Sequence, residues 1–131
     1  MLVKKETENW LRIAESDLKA AEALIKSGLH LQCVEHCHAA LEKLLKGMIK
    51  EQKDIQPPKV HSLLKLISLT IIQDLEDDIK KLLRTLDASY ISMRYPEDIE
   101  RFNLQFSTTE TEKILNRVKE LFKWLKKQIT N

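Results

Sequence analysis

A chain of 131 residues with 22 Lys and Arg against 20 Asp and Glu, formal net charge +2, lacks the cationic excess of a dedicated nucleic-acid surface. With only 2 glycines and 3 prolines, tight hairpin turns are scarce and long uninterrupted helices are favoured. The length suits a single domain, residues 1–131, able to bury roughly two-thirds of the surface its unfolded chain exposes.

The two cysteines, Cys33 and Cys37, stand four apart on one predicted helix, where normal disulfide geometry is difficult, so a reduced, cytoplasmic protein is expected. The opening MLVKKETENW enters charged helical sequence without an apolar signal region. The longest aliphatic run, residues 66–72, is interrupted by Ser68 and Thr70, so no membrane span is expected. Sequence-specific DNA binding is not expected either.

In chain order, Leu11, Ala14, Leu18, Ala21 and Ile25 alternate three and four apart, and Gly28 follows as a stop, which predicts a helix over residues 4–27. Ala14 and Ala21 leave little side chain between backbones, so a second helix can approach closely there. Asp17 lies in that row, read as marginal and facing solvent or a basic neighbour, with a site carboxylate as the other reading. The short connection 28–30 returns the chain antiparallel.

Residues 31–50 carry an apolar face of Val34, Cys37, Leu41, Leu44, Leu45, Met48 and Ile49, interleaved with Glu35, His36, His38, Glu42, Lys43 and Lys46. The helix should fray near Lys53, ahead of IQPPK. Cys33, His36 and Cys37, with His30 or His38 nearby, have the spacing for metal ligation. Zinc normally takes four ligands, though, and Cys37 is on the core stripe while His38 points elsewhere, so no metal site is predicted.

A shorter third helix is expected from Val60, Leu63, Leu64, Ile67 and Ile71, with His61 in its first turn. The acids of QDLEDD suit the start of a fourth helix, whose stripe of Leu75, Ile79, Leu82, Leu83, Leu86, Tyr90 and Met93 runs to Arg94 before Pro96 stops it. Residues 97–106 have no clean period and read as a loop that packs on the bundle or on a partner chain through Phe102, Leu104 and Phe106. Ser107 or Thr109, each with a glutamate three residues on, can cap a last helix whose core face is Ile114 or Leu115, Val118, Leu121, Phe122, Leu125 and Ile129. The predicted fold is all-α, an up-and-down antiparallel bundle of four main helices plus one shorter helix.

Arg94 and Tyr95 are the first candidate site residues, since a guanidinium binds phosphate through two parallel hydrogen bonds and a phenol ring stacks on a base. The structural reading of the same residues is that Arg94 caps its helix while Tyr90 and Tyr95 fill space. Lys43, Lys46 and Lys50 offer a basic ridge, or simply complement the helix dipole. Glu42 can pair with Lys46 or with Arg94, and His61 can serve as ligand or base, or make one structural hydrogen bond.

Taken together, Ala14 to Ala21 (A..DL..A), HAALEKLLKGMI from His38, HSLLKLI from His61 and Y..MRYPED from Tyr90 resemble the HEPN family over nearly the whole chain. The resemblance implies a helical bundle, a homodimer, and partnership with a minimal nucleotidyltransferase for which the helical protein binds substrate or nucleotide. The candidate nucleotide- or substrate-binding residues are then Arg94, Tyr95 and Tyr90, which carry the family motif, with Lys43, Glu42 and His61 from the reading of the residues themselves; no catalytic residue and no cofactor beyond a nucleotide ligand are expected. The family's toxin-antitoxin branch contains ribonucleases that use an Arg followed, after four to six intervening residues, by His. Here His61 is the last histidine, so Arg84, Arg94 and Arg101 all lack it. A ribonuclease with a non-standard set such as His61 and Arg94, and a purely structural interaction module, remain open.

Overall fold

The computed structural model describes residues 3–129, so the outermost residues of the expected 1–131 domain lie outside the described residues. The helix α1 (Lys5–Lys26) ends where the sequence places its stop. Gly28 adopts φ 76, a left-handed conformation that suits glycine. Its N–H donates to the Ile25 carbonyl at 3.1 Å and the Leu29 N–H to the Leu24 carbonyl at 2.9 Å, so the last turn's carbonyls are satisfied as the chain reverses. Then α2 (His30–Lys53) runs back against α1, ends at Lys53 as the sequence predicts, and stops at Asp54 with φ 52.

Small residues hold these two helices together. Ala14 and Ala21 of α1 are fully buried. On α2 a Cβ added to Gly47 would lie only 3.0 Å from the Trp10 Cβ, so the absence of a side chain lets the backbones close on the indole. The central position belongs to α2, which packs on α1, α3 (Leu63–Ser68), α4 (Asp77–Ser92) and α6 (Thr108–Ile129). Its stripe of Val34, Cys37, Leu41, Leu44, Leu45, Met48 and Ile49 is fully buried, as its spacing predicts.

Two elements depart from the sequence reading. The third helix is only Leu63–Ser68, and His61 precedes it instead of occupying its first turn. Ser62 is extended and its hydroxyl accepts from the Lys65 N–H at 3.2 Å, so the cap comes after His61. Ile71 therefore leaves the stripe and is exposed. Residues 97–106, read as a loop, are helical: a 3-10 turn over Pro96–Asp98 leads directly into α5 (Ile99–Gln105). Pro96 presets the first turn, and the four-residue spacing of Phe102 and Phe106 buries both rings with centroids 4.4 Å apart. Leu104 falls on the opposite side and is 86% exposed, so it does not pack on the bundle. The last helix begins with the expected serine cap, the Glu110 N–H donating to Ser107 Oγ at 3.2 Å.

The result is an all-α bundle of four long and two short helices, without a strand among the described residues. No described helix is long and apolar enough to cross a membrane.

Candidate functional site

His38, Glu42 and Lys46 succeed one another by four residues, which stacks them along the flank of α2 facing α4 and the turn before α3. Lys46 Nζ donates to Glu42 Oε2 at 2.9 Å, with the two side chains only 11% and 8% exposed. Burying such a pair costs several kcal/mol of hydration per ion, so it needs further partners. Glu42 has them. His61 Nδ1 lies 3.2 Å from Oε2, and His38 Nδ1 lies 3.6 Å from Oε1. Lys46 also sits 5.9 Å from the centre of the Trp10 ring, within range of a cation–π attraction.

The His38 ring, 3% exposed, reaches the other way through Nε2 to Asp87 Oδ1 at 3.3 Å. Asp87 comes from α4, and its two oxygens accept from Ser62 Oγ at 3.0 Å, the Leu63 N–H at 2.7 Å and the Leu64 N–H at 3.2 Å. It thus satisfies backbone donors at the start of α3 that have no partner within that helix. Burial alone would raise the Asp87 pKa. The His38 hydrogen bond, the two backbone N–H groups and the Ser62 hydroxyl outweigh burial and hold the carboxyl below its ordinary value.

One helical turn on, Tyr90 covers the cluster. Its ring stacks on His61, centroids 4.8 Å apart and planes 21° apart, and tilts against His38 at 4.7 Å. The Arg94 guanidinium carbon lies 3.4 Å from the centre of the same ring, and Nη1 donates to the Tyr90 carbonyl. Arg94 therefore does cap its own helix, as the structural reading has it, while remaining exposed. His61 is 55% exposed at its side chain, so a buried ion pair and a solvent-facing imidazole share one carboxylate. An imidazole oriented by a carboxylate and an arginine stacked on a phenol form a surface able to take an anionic group.

The HEPN domain family matches residues 7–128 of the sequence. The chain belongs to the HEPN family. Its fold is also that of TT1696, a Thermus thermophilus protein of known structure, with a TM-score of 0.78 and 23% identity over 95% of this chain and 98% of that one. ST0689, an archaeal HEPN homologue, gives a TM-score of 0.71 at 21% identity, covering 96% and 99%. At such identities the likeness speaks for the fold. Comparison with curated proteins finds no match.

Of the six residues singled out in the sequence, this HEPN bundle brings Glu42, His61, Tyr90 and Arg94 together. Lys43 lies on another side of α2, donating to Asp17 Oδ2 at 2.9 Å, where His36 Nδ1 also lies 3.3 Å from Oδ1. Asp17 thus has basic neighbours, as its marginal reading expects. Tyr95 follows Arg94 but is 51% exposed, beyond the cluster. The ridge that one of the two sequence readings offers does not form, because Lys43, Lys46 and Lys50 each turn to a different acid: Asp17, Glu42, and Asp54 at 3.3 Å. Cys33 and Cys37 are buried, and hydrogen bonding with Cys33 and burial push the Cys37 thiol up. Among the described residues no group of three or more His, Cys, Asp or Glu is placed to hold a metal ion.

Sequence reading missed His38 and Asp87. The signal for His38 was the four-residue repeat 38, 42, 46 beside the apolar stripe. Asp87, three residues before Tyr90, shares the face of α4 that Tyr90 occupies.

Proposed function

We propose that this HEPN protein is a non-catalytic, dimeric subunit that binds a nucleotide, or the target of a partner minimal nucleotidyltransferase, on the surface formed by Arg94, Tyr90 and His61. The observation that carries this reading is the convergence of these side chains over a buried network. Glu42 holds Lys46 and the start of α3 holds Asp87, which leaves Arg94 as an exposed cation on the Tyr90 ring, against which the half-exposed His61 imidazole also stacks. Phosphate oxygens would take the guanidinium and the imidazole, and Tyr95, exposed next to Arg94, supplies a ring on which a base can stack. Chemistry belongs to the partner on this reading, and the chain works in the cytoplasm.

Calorimetric titration with ATP, with and without a minimal nucleotidyltransferase, tests it. Wild type is expected to bind, and Arg94→Ala to weaken binding by roughly ten- to a hundredfold, the scale of a charged hydrogen bond. No binding in any arm would overturn the reading.

A ribonuclease is the second reading, favoured by one observation. Arg94 and His61 both contact the Tyr90 ring, so the fold brings an Arg and a His to one side chain although no linear spacing relates them, and Glu42 orients the imidazole. The same preparations incubated with RNA separate the two: cleavage lost in His61→Ala would make the chain an enzyme, and intact RNA would leave it a binding subunit.

A further inference from the structure

His61 is 55% exposed at its side chain, and it sits in a stretch without regular structure, between α2 and the start of α3. A side chain on such a stretch holds its position only if the backbone beside it is pinned. The pin is one residue away. Asp87 gathers the Ser62 hydroxyl and the backbone N–H groups of Leu63 and Leu64, three donors within three residues of chain. Asp87 is itself turned by His38 Nε2 at 3.3 Å, and His38 meets Glu42 at 3.6 Å. Glu42 then meets His61 at 3.2 Å. The contacts close a circuit: Glu42, His38, Asp87, the 62–64 backbone, His61 and back to Glu42. It ties α2, α4 and the approach to α3 into one unit, with Tyr90 stacked on the His61 imidazole and tilted against that of His38.

We infer that Asp87 and His38 are positioning residues of the binding surface, which fix the His61 imidazole against Glu42 and Tyr90 although neither reaches the ligand. This rests on the binding reading above. His38 is 3% exposed and Asp87 uses its oxygens on three elements of the protein, so neither is free for a ligand. The requirement on Asp87 is specific. Both of its oxygens face donors, so an isosteric amide turns one acceptor into a donor aimed at the backbone N–H groups or at Ser62. The requirement on His38 is a donor toward Asp87, which a glutamine can supply and a leucine cannot.

Two measurements test this on the full chain. The first needs no ligand: the His61 imidazole proton resonances carry the ring-current shift of the Tyr90 ring stacked on them. Asp87→Asn and His38→Leu are expected to move those resonances toward free-histidine positions, while His38→Gln and the distant core change Val118→Ala leave them in place. The second is a double-mutant cycle in ATP affinity. Asp87→Asn alone is expected to weaken binding roughly tenfold, and by much less when His61→Ala is already present, because the loss travels through His61. Unmoved His61 resonances in Asp87→Asn, or equal losses with and without His61, would overturn the inference and leave the binding reading standing. Absence of ATP binding by wild type, with moved resonances, would remove the ligand and keep the circuit as a purely structural one, which also overturns the positioning role.

Discussion

Asp87 does three things with one carboxylate: it caps α3, it orients His38, and it carries a charge that the folded state favours. Its pKa lies below the ordinary value because the hydrogen bonds to the ionised form outweigh burial. A depressed carboxyl contributes stability that is fully present above its unfolded pKa, about 3.9, and is lost as the pH falls through the lower folded value. Urea denaturation across acid pH should therefore show wild type losing stability below about pH 4, with a shallower loss in Asp87→Asn. An equally steep loss in that variant would place the acid-labile group elsewhere. Glu42 differs in kind. It sits within an ion pair of low exposure, where Coulomb attraction and desolvation nearly cancel, so its importance lies in what it orients more than in net stability.

At the level of elements, the contact of α1 with α2 depends on residues that lack side chains. Gly47 in the middle of α2 forgoes about 1 kcal/mol of helix propensity relative to alanine. The methyl of Gly47→Ala would meet the Trp10 Cβ at 3.0 Å, and a Cβ cannot swing aside as the end of a long side chain can. Overpacking of this kind costs about 1–3 kcal/mol, so the variant is expected to be less stable by about 1 kcal/mol in urea, despite its better propensity. A gain in stability would mean that the two helices can separate without loss. The helices' existence was readable from their stripes: α2 and α6 bury the residues whose three-and-four spacing marks a core face, and α1 and α4 bury part of theirs, Ala14 and Ala21, and Leu82, Leu83 and Leu86, with the rest partly buried. Residues 97–106 were not, because a seven-residue helix with two buried aromatics offers too few repeats to display a period, and Leu104 points outward.

Across the whole molecule, α2 is the member that the others share. It touches α1, α3, α4 and α6, so no helix pair can unfold without exposing part of its buried stripe. Unfolding should accordingly be a single cooperative transition. Trp10 on α1 and Trp124 on α6 report from different helices, and tryptophan fluorescence and far-ultraviolet circular dichroism should give coincident urea curves. Separate midpoints would divide the chain into independently folding parts. The same central position explains the site. The flank of α2 not occupied by α1 and α6 faces α4 and the approach to α3, and that is where His38 and Glu42 meet Asp87, His61 and Tyr90.

The sequence by itself determined the helical class, the order and approximate limits of the long helices, the HEPN resemblance and four of the residues that converge. Periodicity and caps are local properties, and a three-to-four spacing reports which face is buried without reference to anything distant. Only the tertiary structure decided how the polar residues pair. Lys43 and Lys46 are three apart on one helix, yet one turns to α1 and the other to Glu42, because a helix distributes neighbours around its axis and each meets a different element. Asp87 became a keystone of the cluster through contacts with residues 23 to 49 positions away, a relation that no local pattern encodes.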